Sequence, residues 1–308
     1  MKSVLITGGS GLIGRALSEL LLAEGYKVFW LSRTKNLSAK FPSYSWDYTK
    51  REIDSEILEE VDIIVHLAGD SIGSGRWTET KKEQIMSSRI DSTVLLLETL
   101  RELDLKPDVF ISASAVGIYG NKTTENIYEE KDKTVADDFL AQVCNEWEKA
   151  VEQISKTLGS RTVMIRTSMV LSPESEAFKK MYLPTKFGLG ASLGSGKQYM
   201  PWIHIQDLCR IYLKAIQDTT LNGAYNASSP QQLRNREFMN TLSRVLKKPK
   251  LLPFIPGFII RMMMGEAAEM VLGGSRISSK KIQEKGFKFL YDNAEDAIRN
   301  CVDGIKNK

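Results

Sequence analysis

The stretch "ITGGSGLIGRALSELLL" sets Gly8, Gly11 and Gly14 in a Gly-x-x-Gly-x-x-Gly pattern, after an apolar run and at the opening of a helical one. Glycine is needed at such positions because the turn is tight, a pyrophosphate must reach the backbone, and the helix must pack closely on the strand. The N–H groups at the helix start, around Leu12 and Ile13, then face the phosphates with the helix dipole behind them. In this context the pattern predicts a nucleotide site, with a purely structural turn as the alternative. About 20 residues on, where a carboxylate would grip a ribose 2′-hydroxyl, the second strand ends "LSRTK". Ser32 can donate a hydrogen bond there and Arg33 can pair with a 2′-phosphate, which favours NADP(H) over NAD(H). Read otherwise, Arg33 is a solvated turn residue.

Further along, "MPWIHIQDL" carries His204, able to exchange a proton near neutral pH with Asp207 as its orienting neighbour. The same residues can equally fix the start of the following helix. Lys197 and Gln198 lie on a segment with glycines at 188, 190, 194 and 196, which suits either a loop that closes over a ligand or a surface turn. Arg166, at the end of the sixth strand, could pair with an anionic substrate or with a carboxylate in the core.

The elements that must position these groups belong to a chain of 308 residues, long enough for one large α/β domain or for such a domain with a smaller one attached. An apolar share of 42% and a charged share of 26% lie near the averages of folded proteins and argue against disorder or a fibrous repeat. The net charge of +4, without long blocks of like charge, gives nucleic acid little support as a partner and leaves room for an anionic small molecule. Cys144, Cys209 and Cys301 are odd in number and lack CxxC spacing, which fits a reducing cytosol and neither a disulfide framework nor a zinc site. His66 and His204, the only histidines, make no HExxH, so no metal centre is expected. The N-terminus runs into a strand without a signal-peptide pattern, and a cytoplasmic location is expected. The stretch "LLPFIPGFIIRMMMG", broken by Pro253, Pro256 and Arg261, falls short of the roughly 20 apolar residues of a membrane span. It predicts a buried or partner-facing helix, with no membrane partner.

Short apolar runs at 3–8, 27–32, 44–48, 61–69, 108–116 and 161–171 alternate with helical patterns at about 12–24, 78–103 and 136–158, the signature of βαβ units and a parallel sheet. A glycine-rich insertion at about 172–204 follows, then a helix at about 205–218, the short strand "GAYNAS", and a helix at about 235–247. The expected organisation is a nucleotide-binding domain over 1–230 and a small, mostly helical C-terminal lobe over 231–308.

The opening fingerprint, "HLAGDSI", "ISASAVGIYG" and "MPWIHIQDL" together resemble the extended and atypical short-chain dehydrogenase/reductases. With "GLGASLGSGKQYMPWIH", "NGAYNASSP" and "REFMNTLSRVLKKP", the resemblance narrows to the epimerase family proteins and spans nearly the whole chain. There an NAD-dependent epimerase/dehydratase-like domain is followed by a small C-terminal domain. The resemblance implies a Rossmann-like, doubly wound parallel sheet with NADP(H) across its C-terminal edge. It places Leu67 and Ala68 on the adenosine side, Asp47 near the adenine, and Met169 towards the nicotinamide. Gln84 and Arg89 become polar cofactor contacts on the long helix, although Arg89 can also be read as a surface charge. Asp70 stands where relatives commonly carry Glu.

The resemblance also implies a Ser or Thr at the end of the fifth strand and a Tyr and Lys four residues apart on the next helix. Residues i and i+4 share a helix face, and the Lys lowers the phenol's pKa so that the Tyr can exchange a proton as hydride moves. Ser114 fits the first place, with Ser112 second. Setting Glu148 in register with the acidic residue that usually follows the Lys puts Leu140 and Cys144 where Tyr and Lys belong. The Tyr-x-x-x-Lys from Tyr182 to Lys186 falls after the sixth strand, away from that helix. Leu140, Val143, Trp147, Val151 and Ile154 make an apolar stripe at helical spacing. Tyr119 could supply a phenol instead, and Cys144 could face the nicotinamide or be a small buried apolar group. Two functions are in view. One is an NADP(H)-dependent oxidoreductase or epimerase-like enzyme on a small polar substrate, a sugar derivative being one candidate, with Ser114, Tyr119 or His204 moving protons. The other is an NADPH-binding sensor or scaffold without turnover. The resemblance adds a homodimer through the helices at 78–103 and 136–158.

Overall fold

A computed structural model describes residues 1–132 and 137–307. The apolar runs form one eight-stranded sheet: β1 (Ser3–Thr7), β2 (Lys27–Ser32), β3 (Ser43–Asp47), β4 (Glu52–Ile53), β5 (Ile63–His66), β6 (Val109–Ala115), β7 (Arg161–Thr167) and β8 (Gly223–Ala227). Their order in space is β8-β7-β6-β5-β1-β2-β3-β4. Neighbours run parallel throughout except for β4, which turns back along β3. Every residue of β1 is buried, as a parallel strand covered on both faces requires.

Two helical layers supply the cover. α1 (Leu12–Ala23) and α5 (Ile205–Gln217) pack Leu17, Leu21, Leu208 and Ile211 on Val4, Ile6 and Val65. On the other face lie α2 (Glu79–Glu102) and α3 (Phe139–Leu158), whose Leu96, Leu100, Trp147, Val151 and Ile154 meet Leu5, Ile64 and Phe110. The apolar stripe on α3 is therefore core along most of its length. The chain runs from β1 outward to β2 and β3, then returns to place β5 on the other side of β1. That reversal opens a crevice beyond the carboxyl ends of β1 and β5, where ligands bind in doubly wound sheets.

The apolar run at 161–171 does not stay in the sheet. Ser168 turns both its N–H (3.1 Å) and its hydroxyl (2.8 Å) to the Ala227 carbonyl. The chain leaves β7 there, and Met169–Leu171 pairs instead with Trp202–His204. Beyond it, α4 (Glu176–Lys186), α6 (Asn235–Val245) and α8 (Ala294–Lys306) share a separate cluster that includes Phe178, Trp202, Phe238 and Ile298. The glycine-rich segment is held between these parts. Ser192–Leu193 pairs with Phe254–Ile255, and buried Gln198 donates to the carbonyls of Leu193 (3.0 Å) and Val271 (2.8 Å). The Pro/Met-rich stretch contains α7 (Gly257–Met264), in which Ile260 alone is buried. No helix among the described residues is long and apolar enough to cross a membrane.

The C-terminal chain is laced to the sheet at Gly273 and Gly274. A Cβ on Gly273 would lie 2.1 Å from the Asn121 carbonyl oxygen, and one on Gly274 2.0 Å from that of Tyr199. Backbone passes backbone here with no room for a side chain. Gly274→Ala should therefore destabilise the protein by about 1–3 kcal/mol in urea denaturation. Gly73→Ala, with open space around its Cα, should change stability by less than about 0.5 kcal/mol. Equal effects would show that the crossing yields to a methyl group.

Candidate functional site

The glycine turn closes by a hydrogen bond from Gly11 N–H to the Gly8 carbonyl (3.0 Å), with Gly8 in the left-handed region at φ +68°. A Cβ on Gly14 would lie 2.4 Å from the Gly8 oxygen, and one on Gly9 2.4 Å from the Trp30 ring. Gly11 ends the turn as the N-cap of α1 without a side-chain cap, and no acidic residue stands in the helix's first turn. The N–H groups at Leu12 and Ile13 thus open on the crevice in a positive field that suits an anion.

Across the switch point, β5 leaves the sheet directly over the turn: a Cβ on Gly8 would be 3.0 Å from the carbonyl carbon of Leu67. Thr7 manages the crossing. Its Oγ1 accepts the N–H groups of Leu67 and Ala68 (3.1 Å each), so its proton is directed to His66 Nδ1 at 2.8 Å. The remaining ring nitrogen, Nε2, then donates to Ser92 Oγ at 3.2 Å. Burial pushes the His66 imidazole down to about 3, so the ring is neutral and its tautomer follows from these partners.

At the end of β2, beside the end of β1, Ser32 accepts from Thr34 N–H (3.3 Å) and donates to its carbonyl (2.6 Å). Arg33 is exposed and its side chain has no hydrogen bond or ion pair among the described residues. Asp47 holds a turn by accepting from Thr49 N–H (2.9 Å) and hydroxyl (2.6 Å). Gln84 is exposed on α2, whereas the Arg89 guanidinium is drawn inward, donating to the carbonyls of Ile85 (2.9 Å) and Asp70 (3.0 Å) and lying 5.3 Å from the Trp147 ring. A Cβ on Gly69 would touch it at 3.0 Å, so Arg89 props the 67–70 loop from beneath. Asp70 pairs with Lys81 at 2.5 Å. Met169 is half-buried beside Trp202.

The proton-transfer candidates meet at the end of β6. Ser114 donates to Glu148 Oε1 at 2.6 Å, and Arg166 clamps the same carboxylate through Nε and a terminal nitrogen, each at 2.8 Å. The other terminal nitrogen of Arg166 donates to the Tyr119 hydroxyl (2.8 Å), which donates in turn to Asn226 Oδ1 (2.7 Å). The Asn226 N–H closes the chain on Glu130 Oε1 at 2.8 Å. Burial disfavours the Arg166 charge, but the hydrogen bonds to Glu148 outweigh it and hold the guanidinium charged. Burial pushes the Tyr119 phenol up to about 12. Cys144 and Leu140 press on the 116–119 turn, 3.7 and 3.4 Å from where a Cβ on Gly117 would be. Burial, then the Glu148 charge, pushes the Cys144 thiol up to about 12, so it is present as the thiol.

His204 stands apart from this group. It is the N-cap of α5, accepting from Gln206 N–H at 3.3 Å, while Nε2 faces Asn300 Oδ1 at 3.1 Å and the ring lies 3.9 Å from that of Tyr291. Burial lowers it to about 4. Asp207 accepts the N–H groups of Leu290 (2.8 Å) and Tyr291 (2.9 Å), tying α5 to the C-terminal lobe. Tyr182 is buried against Phe178 on α4, in the C-terminal cluster.

Residues 4–228 match the NAD dependent epimerase/dehydratase family, and residues 255–301 match a domain of unknown function, DUF1731. The chain belongs to the NAD dependent epimerase/dehydratase family. It is similar to an epimerase family protein of Staphylococcus saprophyticus, 36% identical over 98% of this chain and 100% of that one. An epimerase family protein of Bacillus subtilis is 33% identical over 97% and 98% of the two chains. Among solved structures, a human epimerase family protein crystallised with NADPH superposes with a TM-score of 0.86 at 28% identity, covering 98% of this chain and 99% of that one.

Within this epimerase/dehydratase fold, sequence reasoning passed over Thr7, Glu130 and Asn226, and used Glu148 only as a register mark. A signal for Glu148 was present: a carboxylate set between Cys144 and Val151 in an apolar stripe needs a buried cation, and Arg166 inside an apolar strand needs a buried anion. Removing one partner of the pair leaves an uncompensated charge. Arg166→Met should thus cost about 3–5 kcal/mol, and the Arg166→Met/Glu148→Leu double variant less than the sum of the two single ones. Strict additivity in urea denaturation would rule the coupling out.

The two histidines predict a pH dependence. Both fall from an ordinary 6.5, His66 to about 3 and His204 to about 4, so below that ordinary value the unfolded chain binds protons that the folded chain refuses. Their contribution is complete above about pH 6.5 and is lost as the pH falls, by about 1.4 kcal/mol per unit for each histidine. His204→Asn, which keeps a capping side chain, should flatten the stability profile by about that slope between pH 6 and 5. Parallel profiles for variant and parent would disprove it.

Proposed function

We propose that the chain binds NADP(H) across the crevice at β1, β2 and β5 and acts as an oxidoreductase or epimerase-like enzyme on a small polar, sugar-like substrate. The glycine turn carries this reading: Gly8, Gly9 and Gly14 have no room for side chains, and they lead into a helix start that no side chain among the described residues caps. Such a surface offers backbone N–H groups to a pyrophosphate and little else. At the end of β2 the Arg33 guanidinium, unpaired among the described residues, stands where NAD sites place a carboxylate, which favours a 2′-phosphate. The human relative crystallised with NADPH supports the same cofactor class.

When bound, the nicotinamide gives or takes a hydride. The chain's own residues orient the ligand and handle the proton. Ser114 commits its proton to Glu148 and so offers a substrate its lone pairs, as an acceptor held in place by the ion pair. Leu140 and Cys144 occupy the helix positions expected of Tyr and Lys, and neither can act as a base. Tyr119, neutral and engaged on both sides, acts through packing and hydrogen bonding rather than as a phenolate. That engagement also favours a second reading, binding of NADPH without turnover.

Arg33→Asp should weaken NADPH binding by at least about tenfold, with NADH affinity unchanged or improved, in calorimetric titration. Equal changes for both cofactors would remove Arg33 from the site. Steady NADPH oxidation with a member of a carbonyl and keto-sugar panel, abolished by Ser114→Ala, would establish the enzyme; tight binding with no turnover would establish the second reading.

A further inference from the structure

Fifteen large apolar side chains are exposed among the described residues, and nine of them lie on two adjoining stretches, 183–189 and 251–263. Isolated apolar residues on a surface are ordinary, but a concentration of this kind marks an interaction face. The stretches adjoin because Leu251 N–H donates to the Gly188 carbonyl at 3.1 Å, between Phe187 and Leu189. The pairing of Phe254–Ile255 with Ser192–Leu193 then leads directly into α7. There Phe258 and Met262, one helical turn apart, are 70% and 65% exposed, and Phe187 is 72% exposed.

The charges around this face are basic. Lys179, Lys186, Lys247 and Lys248 are exposed, and their ammonium groups have no hydrogen bond or ion pair among the described residues. Lys250 meets only the neutral oxygens of Ser192 and Asn240. The nearby carboxylates are spoken for: Glu266 by Lys82 at 2.6 Å and Glu269 by Arg261 at 3.0 Å. Glu176 lies at the opposite end of α4 from Lys186.

We propose that this face docks on an anionic lipid bilayer, with Phe187, Leu251, Phe254, Phe258 and Met262 entering the interface and the four free lysines meeting lipid phosphates. Unpaired lysines are mobile point charges suited to a fluid array of headgroups, whereas a fixed protein partner is better met by the planar fork of arginine. α7, with eight residues, is too short to span and lies along the surface, as interfacial helices do. Docking of this kind needs no spanning helix, and none of the helices among the described residues is long and apolar enough to be one.

The test is co-sedimentation of the full chain with phosphatidylcholine vesicles, alone or mixed with phosphatidylglycerol. The expected result is binding to the mixed vesicles that declines as salt rises. Phe258→Ser/Met262→Ser should reduce binding by roughly tenfold. Lys247→Glu/Lys248→Glu should reduce it on mixed vesicles only. All four positions are exposed, so an unchanged melting temperature confirms that the variants remain folded. Failure to bind either vesicle, or equal, salt-independent binding to both, overturns the proposal. So does a concentration-dependent dimer in light scattering that Phe258→Ser/Met262→Ser abolishes, because a second copy would then be the occupant.

Discussion

A guanidinium and a carboxylate taken out of water must satisfy one another, and at the end of the parallel sheet Arg166 and Glu148 do so in a bidentate clamp. Several elements take their positions from it. Glu148 fixes the rotation of α3 against β7, and the same carboxylate draws the Ser114 hydroxyl from β6. The third arm of Arg166 holds Tyr119, and through it Asn226 on β8 and the carbonyl of Ser278 in the C-terminal part. Buried pairs of this sort seldom add net stability over well-packed apolar residues. What this one supplies is definite geometry: a buried serine whose proton is committed to Glu148 and a phenol that stays protonated.

The glycine-turn side of the crevice is built on the opposite physical plan. Its surface is backbone, made accessible by glycines and by the lack of a cap on α1. Thr7 supports it from below, taking up the two N–H groups left by the exit of β5 and passing its proton to neutral His66. Phosphate recognition needs donors and a positive field, which a helix start supplies from main chain alone. Proton handling needs side chains of controlled charge, and these come from elements far apart in the chain. The two sides therefore leave different traces in a sequence.

The C-terminal lobe is tied to the sheet by chain crossings as well as by apolar packing. Gly273 and Gly274 pass between Asn121 and Tyr199, Ser275 reaches back to the Gly120 carbonyl, and Asp207 grips Leu290 and Tyr291. With its own core satisfied by Phe238 and Ile298, the lobe leaves α7 and the adjoining 251–254 stretch mostly uncovered. Apolar content in that stretch reads equally well as core or as surface until the neighbouring elements are in place.

What the sequence determined by itself was the local and periodic part. Apolar runs marked β1, β2, β3, β6 and β8 to within a residue or two but ran past the ends of β5 and β7, the stripe from Val143 to Ile154 marked the buried face of α3, and the Gly8–Gly14 spacing marked the tight turn into α1. Each rests on contacts between residues close in the chain, which spacing encodes. Tertiary structure alone decided the rest. It brought Glu148 to Arg166 and spent Ser114 and Tyr119 on that pair; it turned Arg89 inward beneath the 67–70 loop, where a surface or cofactor contact had been equally readable. It turned the chain out of the sheet at Ser168, because the Ala227 carbonyl, 59 residues away, takes both its N–H and its hydroxyl. It also gave His204 a cap to make and an apolar ring to lie on. A buried polar group takes its character from whichever partner the fold delivers, and that partner has no fixed distance along the chain.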